Sequence, residues 1–328
     1  MRVSSTRVPA ELIRGPPVAD ALGDRVRSRI RILEELGVDP TLATILMSDD
    51  PMADGFMDSK HSACASAGVS TIDVRLDPTD SAERLYDAID RLCGDPDVHA
   101  VFVQVPLPEH VSMARVRRHM DPSKDIDCFY PENLGRLVAD DPRFVPATPA
   151  AVCVLLGAYD VPVAGRDVVV VGRSTVIGKP IAILLGRDAP LGNATVTVCH
   201  SRTEDLASVT RRADMVVTAA GVPELVNGPM IREGATVIDV SSMRRPEDDG
   251  CADPSDAGGQ SSATVVGDVE FESAKAKAEA IAPVPGGVGP VTLATILYNV
   301  VRATELAVDS VRTDPLPPLP TVDPGNLE

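Results

Sequence analysis

Lysine is scarce in this chain, and where it occurs the surrounding residues are often those of a reactive site. Five of the 31 Lys and Arg residues are lysines: Lys60, Lys124, Lys179, Lys275 and Lys277. Arginine stays protonated at any useful pH, whereas burial or a neighbouring cation can shift a lysine towards neutrality and make it a base. Lys60, Lys124 and Lys179 stand in DDPMADGFMDSK, DPSKDIDCFYPENLG and VVVVGRSTVIGKP, segments heavily punctuated by Gly, Pro and Asp. Lys275 and Lys277, in ESAKAKAEA, read as solvated surface. Lys60 is the candidate base.

A second constellation suits a nucleotide. In VVVVGRSTVIGKP an apolar run ends at Gly172, Arg173 and Ser174 follow, and Gly178 opens the next helical pattern. This is not GxGxxG, but a strand-to-helix turn offers backbone N–H groups and a helix dipole to phosphate oxygens. The next strand, ATVTVCHSRT, ends without the acid that usually holds a ribose 2′-hydroxyl. Ser201, Arg202 and Arg173 suit a 2′-phosphate instead, so the expected cofactor is NADP. His200 reads as a turn or phosphate-side residue.

These residues need an α/β frame to hold them. Apolar runs alternate with amphipathic stretches, predicting helices at 21–36, 51–67, 81–92 and 113–119 and strands at 42–47, 69–76 and 100–105. Past the break FVPATP, helices are expected at 150–159, 178–185 and 204–211, with strands at 167–171, 195–199, 215–219 and 235–240. The expectation is a two-domain α/β protein with a cleft between the domains. Residues 1–148, with a returning helix at about 290–308, form the first domain; 149–289 form a Rossmann-like NADP-binding domain. RPEDDGCADPSDAGGQSSAT, at 245–264, reads as an exposed acidic loop, and 312–328 as an extended, disordered tail.

Composition narrows the class further. A net charge of −17 disfavours nucleic acid and anionic lipid as partners. Its many aspartates suggest adaptation to a salty cytoplasm, where screening relieves self-repulsion. No apolar run reaches the ~20 residues that span a bilayer, and the N-terminus has no apolar signal core, so a cytoplasmic location is expected. Six scattered cysteines without a CxxC pair argue against a metal site or disulfide framework.

With VFVQVPLP, PSKDIDCF, ENLGRL, VVGRSTVIGKP, GDVEF and IAPVPGGVGPVTLATILYN in that order, the chain resembles the bifunctional methylenetetrahydrofolate dehydrogenase/cyclohydrolase (FolD) family over roughly 10–308. PVPGGVGP is the most specific of these segments. The resemblance implies oxidation of 5,10-methylenetetrahydrofolate with NADP⁺, hydrolysis of the methenyl cation to 10-formyltetrahydrofolate, and a homodimer. It makes Lys60 catalytic, Gln104 its orienting partner and Asp127 the acid that bonds the pterin ring. It places Phe56, Val103, Pro106, Pro285, Gly286, Gly287 and Gly289 around the folate and adds Ser242 to the cofactor contacts. Asp125 reads as a local turn cap, and Thr292 as a helix cap or, second, a ligand contact.

Three positions depart from the family pattern. Phe56 replaces a tyrosine, keeping an aromatic face but losing a hydroxyl, which bears on hydrolysis more than on hydride transfer. Cys128 replaces a glycine, and DVSSM at 239–243 replaces DVGIN. A dehydrogenase-only member of the family is therefore a second reading. A shikimate-type dehydrogenase and a non-catalytic folate- or nucleotide-binding regulator are more distant ones.

Overall fold

The computed structural model describes residues 9–245, 264–308 and 316–326. β1 (Glu11–Leu12) precedes α1 (Gly15–Glu35), whose buried Val18, Leu22, Val26, Ile30 and Leu33 recur at helical spacing. The helix starts at Gly15 rather than at the expected 21, because Pro16 and Pro17 fit a first turn that needs no donated N–H.

A first parallel sheet follows, formed by β2 (Thr41–Met47), β3 (Ser70–Leu76) and β4 (Ala100–Val103) in the order β3-β2-β4. Its crossover helices are α2 (Pro51–Ala67) and α3 (Ala82–Gly94). α2 is bounded as expected, with the Asp50 carboxylate accepting from Met52 N–H at its start and Gly68, at φ 88°, ending it. α4 (Met113–His119) also matches its sequence bounds, whereas α5 (Pro131–Val138), in PENLGRLV, was not foreseen. The buried α6 (Ala147–Ala158) leads to the second sheet.

That sheet begins with β5 (Asp167–Val171), α7 (Gly178–Gly186), β6 (Thr195–Cys199), α8 (Leu206–Thr210), β7 (Met215–Thr218) and β8 (Thr236–Asp239). β9 (Met243–Arg244) pairs antiparallel with β10 (Val265–Val266) at the neck of the acidic insertion, most of which lies outside the described residues. α9 (Phe271–Lys275), β11 (Ala280–Ala282) and α10 (Val288–Ala307) complete the order. The six strands run β1-β11-β8-β7-β5-β6, all parallel. β1 therefore crosses the division expected at 148, because Glu11 and Leu12 pair with Ala280 and Ile281.

In the first sheet the chain passes from β2 to β3 and returns to β4 on the other side of β2. In the second it passes from β5 to β6 and returns to β7 on the other side of β5. Such switch points sit at β2 and β5, where ligands enter beyond the strands' C-terminal ends. α10 connects the two bodies: Val288 and Val291 belong to the core around β5 and α6, while Ala294 through Ala303 contribute to the core of α1, β2 and β4.

The tail differs from its expectation. Residues 316–326 lie against the fold: Leu316 is buried, and Leu319 and Val322 pack on the core around α6. The Tyr298 hydroxyl donates to Pro317 O at 2.8 Å, and Leu316 N–H donates to the Glu305 carboxylate at 2.6 Å. Leu316 and Leu319 are the apolar anchors that the proline-rich composition obscures. Positions 312–315 and 327–328 lie outside the described residues. Among those described, no helix is long and apolar enough to cross a membrane.

Candidate active site

On α2 the buried positions are Ala53, Met57, Lys60 and Cys64, so Lys60 occupies a core-facing position that helical periodicity gives to apolar residues. Its ammonium is nearly inaccessible, the residue being 6% exposed. Nζ donates to Gln104 Oε1 at 2.8 Å and reaches the Phe56 carbonyl at 3.5 Å. Gln104 follows β4 and donates Nε2 to Val105 O at 2.7 Å, which turns its Oε1 towards Lys60. Burial lowers the Lys60 pKa from 10.5 to about 8, with Asp127 and Cys64 partly opposing the shift.

Phe102 completes this pocket and was missed at the sequence level. Its ring centroid lies 4.7 Å from Lys60 Nζ, closer than the Phe56 ring at 5.9 Å. The signal was available, since Phe102 and Gln104 are two apart at the end of a strand and share a face. Phe56, 42% exposed, presents its ring to solvent one helical turn before Lys60. Val103 does not join them: the residue is fully buried among Ile45 and Val101.

Asp127 is 9% exposed and accepts the Ala147 N–H at 3.0 Å, at the start of α6. Burial, reinforced by Asp125, raises its pKa to about 7, against the Ala147 hydrogen bond and the attraction of Lys60. Asp125 is a structural clasp, as the sequence suggests: its carboxylate accepts from Phe129 N–H, Tyr130 N–H and Asn133 Nδ2. Between the loops they set, Cys128 sits at φ 58°. That left-handed conformation explains why glycine suits the position. Lys124 points elsewhere, donating Nζ to Asp95 O, and takes no part in this group.

The 285–289 loop closes the same end of α10. Gly286 has φ 100°, and its carbonyl accepts Gly15 N–H at 2.8 Å. A Cβ on Gly15 would stand 2.0 Å from Gly287 O, so this loop and the start of α1 touch backbone to backbone. Pro106, Pro285 and Gly289 are exposed, whereas Gly287 is buried. Thr292 is not the cap: it lies in the second turn of α10, donating Oγ1 to Val288 O, and Gly287 occupies the N-cap.

Beyond β5 a cleft of about 500 Å³ is lined by Gly172, Arg173, Ser174, His200, Ser201 and neighbours from 219–225. A Cβ on Gly172 would meet Ala219 O at 2.2 Å, and one on Gly178 would meet Gly172 O at 2.4 Å. Strand, turn and helix are thus pressed together so that bare N–H groups face the cleft. The Ser174 hydroxyl accepts from Ile177 and Gly178 N–H, capping the turn. Arg202 and Ser242 stand outside this wall. His200 shapes the turn, taking Arg202 N–H on Nδ1.

Asp239 and Asp268, also missed from sequence, brace the opposite rim. Asp268 accepts Ala220 and Val222 N–H and the Ser241 hydroxyl, while Asp239 accepts Asp268 and Val269 N–H and the Thr218 hydroxyl. GDVEF is explained by this contact, because a Cβ on Gly267 would collide with the Asp239 carboxylate at 1.9 Å. The glycine cradle, the exposed Arg173 and Ser201, and the cleft volume together fit a phosphorylated dinucleotide.

Comparisons with known proteins agree with this two-site arrangement. Residues 13–127 match the family model "Tetrahydrofolate dehydrogenase/cyclohydrolase, catalytic domain", and 146–308 match its "NAD(P)-binding domain". A "Bifunctional protein FolD" of Haloquadratum walsbyi is 47% identical over 93% of this chain and 94% of its own. One from Natronomonas pharaonis is 50% identical over 91% and 97%. The crystal structure of the Trypanosoma brucei dehydrogenase-cyclohydrolase (FolD), complexed with NADP cofactor and inhibitor, aligns with TM-score 0.84 at 36% identity, covering 93% of this chain and 100% of that one.

Proposed function

The chain belongs to the tetrahydrofolate dehydrogenase/cyclohydrolase family, and from that premise we propose how its residues divide the family's two reactions. The protein is an NADP-dependent enzyme that oxidises 5,10-methylenetetrahydrofolate to the 5,10-methenyl cation and hydrolyses that cation to 10-formyltetrahydrofolate. The assignment of roles rests on one observation: a lysine with its Nζ 2.8 Å from Gln104 Oε1, buried enough to hold its pKa at about 8.

NADP⁺, when bound, supplies the hydride acceptor for the first reaction. Gly172, Ser174 and Gly178 form the turn that takes its pyrophosphate, and Arg173, Ser201 and Arg202 supply cationic and hydroxyl groups for the 2′-phosphate. Ser242 contributes backbone contacts. The folate lies between the two switch points, with Phe56 stacked on its aminobenzoyl ring and Asp127 bonded to its pterin edge. Pro106 and the loop of Pro285, Gly286, Gly287 and Gly289 enclose it.

For hydrolysis, the methenyl cation beside Nζ drives Lys60 further towards its neutral form by like-charge repulsion. Neutral Nζ takes a proton from the attacking water as its oxygen bonds to the methenyl carbon. The resulting hydroxyl then loses its remaining proton to solvent as it becomes the formyl C=O, and the carbon–N5 bond breaks. Lys60 returns its proton to N5, and the formyl group remains on N10, with one proton released overall. Gln104 holds Nζ in line throughout. Phe56 carries no hydroxyl, but Lys60 is positioned by Gln104 and by the Phe56 carbonyl, groups that do not need one. The dehydrogenase-only reading therefore loses its main support.

The test supplies methylenetetrahydrofolate and NADP⁺ and follows NADPH and the methenyl chromophore separately. NADPH formation with methenyl decay above the uncatalysed rate is expected; accumulation of methenyl would leave a dehydrogenase alone. The division into a folate-side domain and an NADP-side domain belongs to the same proposal, as do a homodimer and a salt-adapted cytoplasmic setting. The net charge of −17 supports that setting, and stability that does not rise from low to molar KCl would count against it.

A further inference from the structure

Behind the active site, at the N-terminal end of β4 and the C-terminal end of α10, lies a second cavity of about 650 Å³. Arg302, which lines it, stands about 21 Å further along α10 than Val288 at the folate end, at ~1.5 Å per residue. Its charged lining comprises Lys124, Arg136, Arg143 and Arg302 against Asp141, in a protein whose net charge is −17. Those cations come from separate parts of the chain and converge only in the fold.

Among the described residues, two of the four have carboxylate ion-pair partners: Arg136 pairs with Asp141, and Arg143 reaches Glu132 at 3.4 Å. The other two are held on main-chain carbonyls. Lys124 Nζ donates to Asp95 O at 2.5 Å, and Arg302 Nε donates to Arg143 O at 2.7 Å with a further bond to Leu316 O. A carbonyl satisfies a donor without neutralising its unit charge, so Lys124 keeps its charge, and Arg302 is offset by the nearby Glu305 carboxylate. His99 accepts Thr41 N–H on Nδ1 at 3.3 Å, placing its own proton on Nε2 as another donor. Burial first, then Lys124, holds its pKa below the ordinary value, so it serves as a neutral donor.

We propose that this cavity binds a small multivalent oxyanion, rich in phosphoryl or carboxylate oxygens, at a site separate from the folate and cofactor seats. The volume lies within the range of small-ligand sites, and guanidinium forks match phosphoryl and carboxylate oxygens in pairs. An anion there adds negative charge to a lining in which, among the described residues, four cations face one carboxylate.

Calorimetric titration of the full chain, saturated with NADP so that its phosphate seats are filled, tests this with pyrophosphate and citrate as probes. One site per chain is expected, weakened about tenfold in Arg136→Gln and again in Lys124→Gln, consistent with loss of a charge-assisted hydrogen bond. Arg136 is half-buried at the cavity's edge, so that variant remains interpretable if Lys124→Gln fails to fold. Tighter pyrophosphate identifies a phosphoryl ligand, and tighter citrate a polycarboxylate. Absence of binding by both probes, or affinities unchanged in the folded variants, overturns the proposal.

Discussion

Arg117 Nη2 donates to Thr175 Oγ1 at 2.9 Å, tying α4 beside the folate-side sheet to the nucleotide turn that follows β5. Val176, the next residue of that turn, packs into the core of β2, β4 and α4. The turn that faces the cofactor cleft is therefore held from the other half of the protein. Arg117 Nε is buried without a hydrogen-bond partner among the described residues, so the Thr175 bond is the anchor seen for this guanidinium.

Arg117→Leu should raise the KM for NADP by about tenfold, the scale of one hydrogen bond at about 1–1.5 kcal/mol. Hydrolysis of supplied methenyltetrahydrofolate, which uses no cofactor, should stay near wild type. Steady-state kinetics of both reactions check this. Equal loss in the two would mean that the arginine supports general folding instead.

Lys60 links chemistry to stability. Its folded pKa of about 8 lies below the ordinary 10.5, so the unfolded chain binds more protons between those values. This contribution makes stability rise as pH increases from about 8 to 10.5; below about 8 both states are protonated and the full penalty for burying the charge remains. At 1.36 kcal/mol per unit the penalty is about 3 kcal/mol. Lys60→Met should abolish hydrolysis yet stabilise the protein at pH 7, by an amount that shrinks through pH 8–10.5. Denaturant titrations across that range read the slope. In the wild type, hydrolytic kcat/KM should climb with pH and level off above about 8, and Lys60→Arg should remove that limb.

Phe56 separates binding from proton handling. Its ring is half-exposed, while its carbonyl and Gln104 hold Lys60. Phe56→Tyr should alter the rate of hydrolysis by less than about threefold. Phe56→Ala should raise the KM for folate at least tenfold, since loss of aromatic stacking removes about 0.5–1.5 kcal/mol beyond the buried area. A large gain in hydrolysis from the tyrosine would show that a hydroxyl is needed after all.

The residues explain what could be read in advance. α2 was bounded correctly because Asp50, Pro51 and Gly68 are local signals that tertiary packing does not override. Lys60 and Gln104 stood out because polar groups interrupt apolar patterns. Asp239 and Asp268 did not, because their work is to satisfy N–H groups of loops distant in sequence, and no local pattern encodes that. β11 and α9 were likewise unassigned: three to five residues are too few to establish a period. Val103 erred in the other direction, since lying beside Gln104 in sequence puts its side chain on the opposite face of the strand.

The tail gives the last prediction. Leu316 N–H satisfies Glu305, whose carboxylate also takes Arg29 Nε at 2.5 Å, and the Pro317 carbonyl satisfies the Tyr298 hydroxyl. Glu305, Tyr298 and Arg302 are all buried beneath it. Ending the chain at 308 would uncover the apolar face under Leu316, Leu319 and Val322 and remove hydrogen bonds from two charged groups. Each bond to a charged group contributes about 1.5–3 kcal/mol, so a loss of about 3 kcal/mol or more is expected, seen as a fall in Tm. The Lys60–Gln104 contact lies at the far end of α10, so kcat of the folded fraction at low temperature should be retained. Loss of kcat with unchanged Tm would mean that the strap acts on the site and not on the fold.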